Sequence, residues 1–449
     1  MIVSVRLLLA LSNSELELLL VVAFDCEGES MAEESFATTP VPGEEQIGAP
    51  VQPVRSGAAP WKAPAIPLPM ARLHGVTACD VVIVGGGITG AFAAEALTRQ
   101  GLDVLIVDRN FPGQGSTAAS TAMLLWEIDT PLGELADLYG FDKAAAVYRR
   151  SLAAAEDLGA LVSALAIGCD YAPRPSLYLA EPTAQTCAMI AEHEARNRAG
   201  LPGSYLGREK LQQAFGMDRP AAIVAAGAAE ADPICMAHGL LHHAFQRGAR
   251  LVTDEVVDYQ FGGARAAVAL ASGALVEAGN VVLATGYDMP EFVVTDLQRV
   301  VSTWCIATHP QDHRRIWPSR ALIWEAADPY LYARFDSVGR LLIGGEDAEI
   351  ASASEREALM SVKAERLIDR MRGLQPQIDL SIGTGWTAAF GETTDGLPLI
   401  GPVPGAPRAL AAYGYGGNGI TFSYMASRMI AAMVNGDWRD WFEDFALDR

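Results

Sequence analysis

The 449-residue chain is half hydrophobic and has a formal charge of −21, so it can bury large apolar cores. It lacks the clustered Lys and Arg that nucleic acid or an anionic membrane surface would require. Its six cysteines (Cys26, Cys79, Cys169, Cys187, Cys235 and Cys305) are scattered, with no C-x-x-C pair and no His spacing of the zinc type. This predicts reduced thiols, no metal site and a cytoplasmic location.

Residues 1–77 read as an N-terminal extension that is partly disordered. The apolar runs of residues 1–24 are broken by Ser12, Asn13, Ser14, Glu15 and Glu17, which makes stable membrane insertion poor, and no small-residue cleavage site follows before Asp25. Met31 is an alternative start. Residues 31–69 are rich in Pro, Glu, Ala and Thr, the composition of a loosely attached arm. Trp61 and the apolar residues from Pro64 to Leu68 could dock that arm on the body.

The organising stretch is residues 80–108, DVVIVGGGITGAFAAEALTRQGLDVLIVD. A β-branched run at 81–84 ends in glycines, an apolar and small-residue stripe follows from Ile88, Gly101 stops it, and 104–107 forms a second apolar run. The pattern predicts a buried strand, a helix and a parallel strand. Gly85, Gly87 and Gly90 fit G-x-G-x-x-G: the first permits the turn, the second lets backbone approach a diphosphate, and the third lets helix and strand pack closely. The helix start at Ile88 offers unpaired N–H groups and a positive dipole end to an anion. Asp108 closes the second strand, where a carboxylate accepts hydrogen bonds from ribose hydroxyls.

Beyond Asp108, residues 109–122 (RNFPGQGSTAASTA) resemble a second phosphate cradle. Arg109 and Gly115 flank it, and Ser116, Thr117, Ser120 and Thr121 are candidate donors; an ordinary capped helix would use the same residues. Ala-rich amphipathic patterns at 142–166 and 183–199 predict helices. Strands are expected at 248–252 and 256–259, and another at 281–286, where Ala284, Thr285 and Gly286 end a buried run beside a ligand crevice. From 300 to 345 alternating patterns predict an antiparallel sheet inserted into the doubly wound fold, and 354–372 a charged helix. A glycine-rich turn at 416–419 then opens a long helix. It is a second anion-facing helix start, as suits the negative charge on a reduced flavin ring.

Together the DVVIVGGGITG start, the GQGSTAAST loop, the VVLATG, VVSTWCIATHP and GRLLIGGED strands, TTDGLPLIG and GYGGNGIT resemble the FAD-dependent D-amino-acid oxidase superfamily. That superfamily includes glycine oxidase, sarcosine oxidase and the gamma-glutamylputrescine oxidase type. The resemblance covers about residues 78–436. It implies FAD contacts at Gly85, Gly87, Ile88, Gly90, Asp108, Arg109, Gly115, Ser116, Thr117, the Val256 backbone, Ala284, Thr285 and Gly286. Gly417, Asn418, Gly419, Ile420 and Thr421 would lie around the ring.

The resemblance also implies an α/β doubly wound FAD domain at 78–165, 222–292 and 384–436, an inserted antiparallel-sheet substrate domain at 166–221 and 293–383, and a C-terminal tail at 437–449. The implied reaction is oxidation of the C–N bond of an amine or amino acid by hydride transfer to flavin, giving an imine that hydrolyses. Three departures bear on it. Phe390 stands where many such oxidases place a carboxylate-binding Arg, 383–395 has no Cys for covalent flavin, and Leu342 stands where sarcosine oxidases place an oxygen-activating Lys. FAD is therefore expected to be noncovalent, with a quinone or protein as an alternative electron acceptor. A non-catalytic dinucleotide-binding module is the further alternative. Substrate-pocket candidates are Trp126, Trp304, Tyr330, Tyr332, Arg334, Trp386 and Phe390, each of which could equally be a packing residue. Oligomeric state is left open.

Overall fold

The structure, a computed structural model, describes residues 55–61, 67–183, 186–350 and 352–449. The early apolar runs, Met31 and most of the 31–69 arm lie outside the described residues. No helix among the described residues is long and apolar enough to cross a membrane.

Two sheets organise the body. The first has eight strands in the order Leu399–Pro402, Ala409–Tyr413, Leu275–Leu283, Val76–Val84, Val104–Asp108, Arg250–Thr253, with Ala266–Leu270 and Val256–Gln260 as a ribbon off Leu275–Leu283. From Ala409–Tyr413 to Arg250–Thr253 every pairing is parallel. These strands are apolar on both faces because both faces are covered. Val81, Ile83, Val104 and Ile106 enter one core with the helices, whereas Val82, Val84, Leu105 and Val107 enter a second. The helix Ile88–Arg99 packs between Pro233–Gln246 and Gly419–Val434, and its alanines allow that close approach.

The second sheet has ten strands in the order Arg55–Gly57, Ile382–Thr393, Gln298–Pro310, Arg340–Ala348, Leu331–Phe335, Leu322–Ala326, Ala172–Ala180, Ala221–Glu230, Met123–Leu124, with Ser204–Gly207 beside Ala221–Glu230. It departs from the fully antiparallel expectation at one place: Leu322–Ala326 runs parallel to Ala172–Ala180. More than a hundred residues separate the two strands, so no tight turn imposes an antiparallel return. Alternation gives the sheet two distinct faces. Trp304, Ile306, Leu341 and Ile343 point to the core under the helix Met360–Leu374. Cys305, Ala307, Tyr332, Leu342, Trp386 and Ala388 point the other way, towards Ala119.

The expected domain boundaries at 222 and 384 do not follow the sheets, because Ala221–Glu230 and Ile382–Thr393 both pair in the second one. A local apolar pattern does not name its pairing partner. The charged helix at 354–372 is two helices, Ala353–Ala358 and Met360–Leu374. Part of the N-terminal extension is ordered: Arg55–Gly57 extends the second sheet, Trp61 Nε1 donates to the Ser120 carbonyl at 2.8 Å, and Leu68 is buried. The tail is ordered too. Asp440–Phe445 buries Phe442 and Phe445, and Arg449 pairs with Asp395 at 2.8 Å.

Candidate active site

The glycine turn after Val76–Val84 is shaped by backbone contacts. Gly85 has φ +105°, and a Cβ there would lie 2.3 Å from the Ala284 carbonyl; a Cβ on Gly90 would lie 1.9 Å from the Gly85 carbonyl. These two glycines are required by the protein's own packing. Gly87 differs, since a Cβ would meet only the Thr117 hydroxyl, at 3.1 Å, and as the cap residue Gly87 has no side chain to bond the first turn. Space and free N–H groups therefore coincide at a positive helix end. The Thr117 hydroxyl, on the short helix Ser116–Ala119, accepts the Ile88 N–H at 2.9 Å. Ser116 faces Gly286, whose added Cβ would be 3.8 Å from its hydroxyl, and Gly115 opens on free space.

Asp108 accepts the N–H groups of Gly86 at 2.6 Å and Asn110 at 2.8 Å. Burial raises its carboxyl pKa, and these two donors oppose the rise. Val256 is half-buried at the start of its strand, and nearby Asp254 donates its N–H to the Asp108 carbonyl. Arg109 pairs with Asp288 at 2.9 Å. Thr285 bonds the Tyr413 hydroxyl and the Asp288 carbonyl. Residues 85–90, 108, 115–117, 254–256 and 284–286 thus converge on one crevice at the carboxyl ends of the parallel strands.

Ser120 and Thr121 lie further along. Ser120 Oγ accepts the Ala122 N–H, and the carbonyls of Ser120 and Thr121 accept from Trp61 and Arg334. At the second helix start, Asn418 Nδ2 donates to the Glu127 carbonyl and Thr421 Oγ1 to the Leu125 carbonyl, each at 2.7 Å. Ile420 is buried, and Gly419 opens on free space. The side chains of Asn418 and Thr421 thus secure the 125–129 segment, and backbone is what the turn presents. The Gly417 N–H donates to Asp129 Oδ2 at 2.6 Å.

Of the substrate-pocket candidates, Trp304 does not face the dinucleotide side of the second sheet. It lies on the far face of the sheet and donates to the Arg356 carbonyl at 3.0 Å, as the period-2 alternation requires. Trp126 and Trp386 are fully buried, donating to the carbonyls of Ala226 and Ala119. Arg334 is also fully buried. It donates to the carbonyls of Thr121, Ala231 and Phe335 and lies 3.5 Å from Glu230, so it is engaged by the protein itself. Tyr330, Tyr332 and Phe390 remain half-buried. The two tyrosine rings are 5.8 Å apart, and Tyr332 lies over Gly344, where a Cβ would be 2.2 Å from its ring.

Carboxylates absent from the sequence reading lie beside these tyrosines. Asp347 faces Tyr330 and Thr303, and burial pushes its carboxyl up to about 6, with Glu392 and Asp129 adding repulsion. Solvent reaches Asp129, yet the surrounding protein still pushes its carboxyl up to about 6 against the pull of the Gly417 N–H. Glu127 is buried behind this segment, 4.0 Å from Arg196 and bonded to the Ser176 hydroxyl. No local motif marks these acids, because the segments that hold them meet only in the folded chain.

A dinucleotide crevice beside a largely antiparallel sheet, with a second glycine-rich helix start facing that sheet, defines the flavin-dependent oxidoreductase class. Residues 80–433 match the FAD dependent oxidoreductase (DAO) family. The chain belongs to this family, and its cofactor is FAD. It is similar to the gamma-glutamylputrescine oxidoreductase of Escherichia coli (strain K12), 24% identical over 386 residues spanning 84% of this chain and 88% of that protein. It is also similar to the glycine oxidase of Bacillus licheniformis, 26% identical over 417 residues spanning 82% of this chain and 97% of that protein. Among solved structures, glycine oxidase from Geobacillus kaustophilus shares the fold with a TM-score of 0.68 at 21% identity, covering 83% of this chain and 99% of that one.

Proposed function

We propose that this chain oxidises the C–N bond of a small amine or amino acid. The observation that carries the reading is the pairing of two glycine-rich helix starts, at Gly87 and at 416–419, each following a parallel strand of the eight-stranded sheet, with the second packed against Ile382–Thr393 of the other sheet. When bound, FAD would supply the two-electron acceptor for removal of the substrate C–H hydrogen as hydride. The Gly87 N–H at the open helix start would hold its diphosphate, Asp108 a ribose hydroxyl, and the backbone at 417–421 the ring edge.

The remaining work of the chain is to bind and orient. The tyrosines and Phe390 box the substrate, and burial keeps bulk water from the reacting carbon. Loss of hydride from the neutral amine leaves an iminium ion whose N–H proton passes to solvent, and water then adds to the imine to release a carbonyl compound and an amine. Noncovalent attachment fits the lack of any Cys in 383–395, and acid precipitation should leave the flavin in the supernatant. A second reading, electron transfer to a quinone or protein, draws support from Leu342, an apolar side chain buried with Cys305, Trp386, Ala59 and Trp61. In the testing experiment the yellow holoprotein is mixed anaerobically with secondary amines, polyamines and amino acids, and air is then admitted. Bleaching by one class identifies the substrate, and fast return of colour in air identifies oxygen as acceptor. A flavin that dithionite reduces but no amine does would sink the proposal.

A further inference from the structure

We infer that the N-terminal arm is part of the cofactor site: Trp61 is a positioning residue that fixes the 116–121 segment across the crevice from Gly87 and so sets how tightly FAD is held. The inference rests on the crevice reading above and deepens it.

The 116–121 segment cannot place itself. The helix Ser116–Ala119 is a single turn, closed by the Ala118 N–H to the Gly115 carbonyl at 3.1 Å and the Ser120 N–H to the Ser116 carbonyl at 3.0 Å, and one turn of helix is unstable by itself. Contacts from elsewhere must hold it. Its far end carries three consecutive carbonyls, and each accepts a hydrogen bond from a side chain of a different segment: Ala119 from Trp386 Nε1 at 2.8 Å, Ser120 from Trp61 Nε1 at 2.8 Å and Thr121 from Arg334 Nε at 2.5 Å. A helix end leaves such carbonyls without internal partners. Trp386 and Arg334 are fully buried residues of the second sheet, whereas Trp61 is half-buried and comes from the arm. The arm also meets the near end of the turn, where Arg55 Nη2 reaches Gln114 Oε1 at 3.5 Å.

The arm is anchored well enough to act as a fixed support. Arg55–Gly57 pairs with residues 386–388, the Ala58 N–H donates to the Gly385 carbonyl at 3.3 Å, and the Thr384 hydroxyl donates to the Ala58 carbonyl. Gly57, at φ +81°, passes so close that a Cβ would lie 2.4 Å from the Gly385 carbonyl. Beyond it Ala59 and Trp61 pack on Ala119, Leu342 and Trp386, and the Arg334 guanidinium lies 5.4 Å from the Trp61 ring centre. An indole N–H is a donor only, so the Ser120 carbonyl fixes the ring in one orientation.

The other side of the same turn is the crevice wall. The Thr117 hydroxyl accepts the Ile88 N–H at 2.9 Å, and a Cβ on Gly87 would meet it at 3.1 Å. Where the turn sits therefore sets the width of the space beside Gly87. Hydrogen bonds and close contacts weaken steeply over an ångström, so a turn released at Ser120 would hold the diphosphate less tightly while both sheets stay intact. The coupling is reciprocal. If the docked arm raises FAD affinity, bound FAD must hold the arm down by the same factor.

The test uses the full-length protein, stripped of flavin and titrated with FAD, with hydrogen exchange at the Ala58 amide as a second readout. Trp61→Ala is expected to weaken FAD binding about 10-fold, and Trp61→Phe, which keeps the ring and loses the N–H, about 3-fold. Thr384→Val releases the arm at Ala58 without touching the turn and should shift affinity in the same direction, which keeps the idea testable if Trp61→Ala fails to fold. In the unmodified protein FAD should slow Ala58 exchange about 10-fold, and in Trp61→Phe by a smaller factor. An arm that serves stability alone would lower the urea midpoint and leave both FAD affinity and the FAD effect on exchange unchanged; that result would overturn the inference. If Gly87→Val is colourless while Trp61→Ala binds FAD as tightly as the unmodified protein, the crevice reading stands and the positioning role falls. If Gly87→Val itself binds FAD normally, the crevice reading falls and takes the positioning role with it.

Discussion

At the scale of single residues, the glycines of the first turn separate folding from binding. Gly90→Ala forces a Cβ to within 1.9 Å of the Gly85 carbonyl, so it is expected to destabilise the fold by about 3 kcal/mol, read by urea denaturation. Gly87 has an extended backbone and an open flank; Gly87→Val is expected to fold normally and emerge colourless, because it fills the diphosphate space. Asp108→Ala should lower FAD affinity about 10- to 100-fold by removing a charged acceptor, measured by equilibrium dialysis; unchanged affinity would remove Asp108 from the ribose role. Asp347 makes a pH signature. Its folded value of about 6 lies above the ordinary 3.8, so the protonated form is favoured by folding, and the penalty of ionisation grows from about pH 4 and is complete above about pH 6. Asp347→Asn should therefore raise the thermal midpoint at pH 8, with the gain shrinking as pH falls towards 4. A gain equal at both pH values would show that the carboxyl titrates normally.

At the scale of elements, the end of the chain secures the site's last strand. Arg449 makes two contacts to Asp395, at 2.8 and 3.0 Å, and donates to the carbonyls of Leu397 and Pro398, and Tyr139 donates to the same carboxylate at 2.7 Å. These bonds set the turn between Ile382–Thr393 and Leu399–Pro402. Arg449→Ala strands Asp395 in the interior and should cost about 3 kcal/mol, visible as a lower urea midpoint. The βαβ unit at 80–108 was legible because every signal there is local: a β-branched run, glycines at fixed spacing, an Ala-rich helix and a closing acid. Leu397 to Arg449 was not, since DGLP reads only as a turn and the Asp–Arg pair spans 54 residues. Trp304 and Trp386 sit on opposite faces of paired strands, yet no sequence signal says which face a cofactor will occupy. Asp129, Asp347 and Glu392 were illegible for the same reason. Each is an unremarkable acid in the sequence, on or just after a separate strand of the ten-stranded sheet.

At the scale of the molecule, the residues assigned to FAD run from Gly85 to Thr421, so the cofactor would tie together strands and helices drawn from most of the chain. FAD at a hundredfold excess over its Kd should add about 2.7 kcal/mol of stability. A thermal midpoint that does not climb with FAD concentration would mean that the crevice is not the binding site. The order of the eight-stranded sheet carries a consequence for how this protein is made. Its central strand, Val76–Val84, is flanked on one side by Leu275–Leu283, and the next strand outward is Ala409–Tyr413. During translation the nucleotide end therefore leaves the ribosome as a bare apolar strand with one nearby partner, Val104–Asp108, and waits for about two hundred residues before the other arrives. The sheet closes only when almost the whole polypeptide has been made, so flavin loading is expected to follow translation. Ribosome-stalled chains ending before residue 275 should consequently recruit chaperone and take up no flavin, however complete their glycine motif.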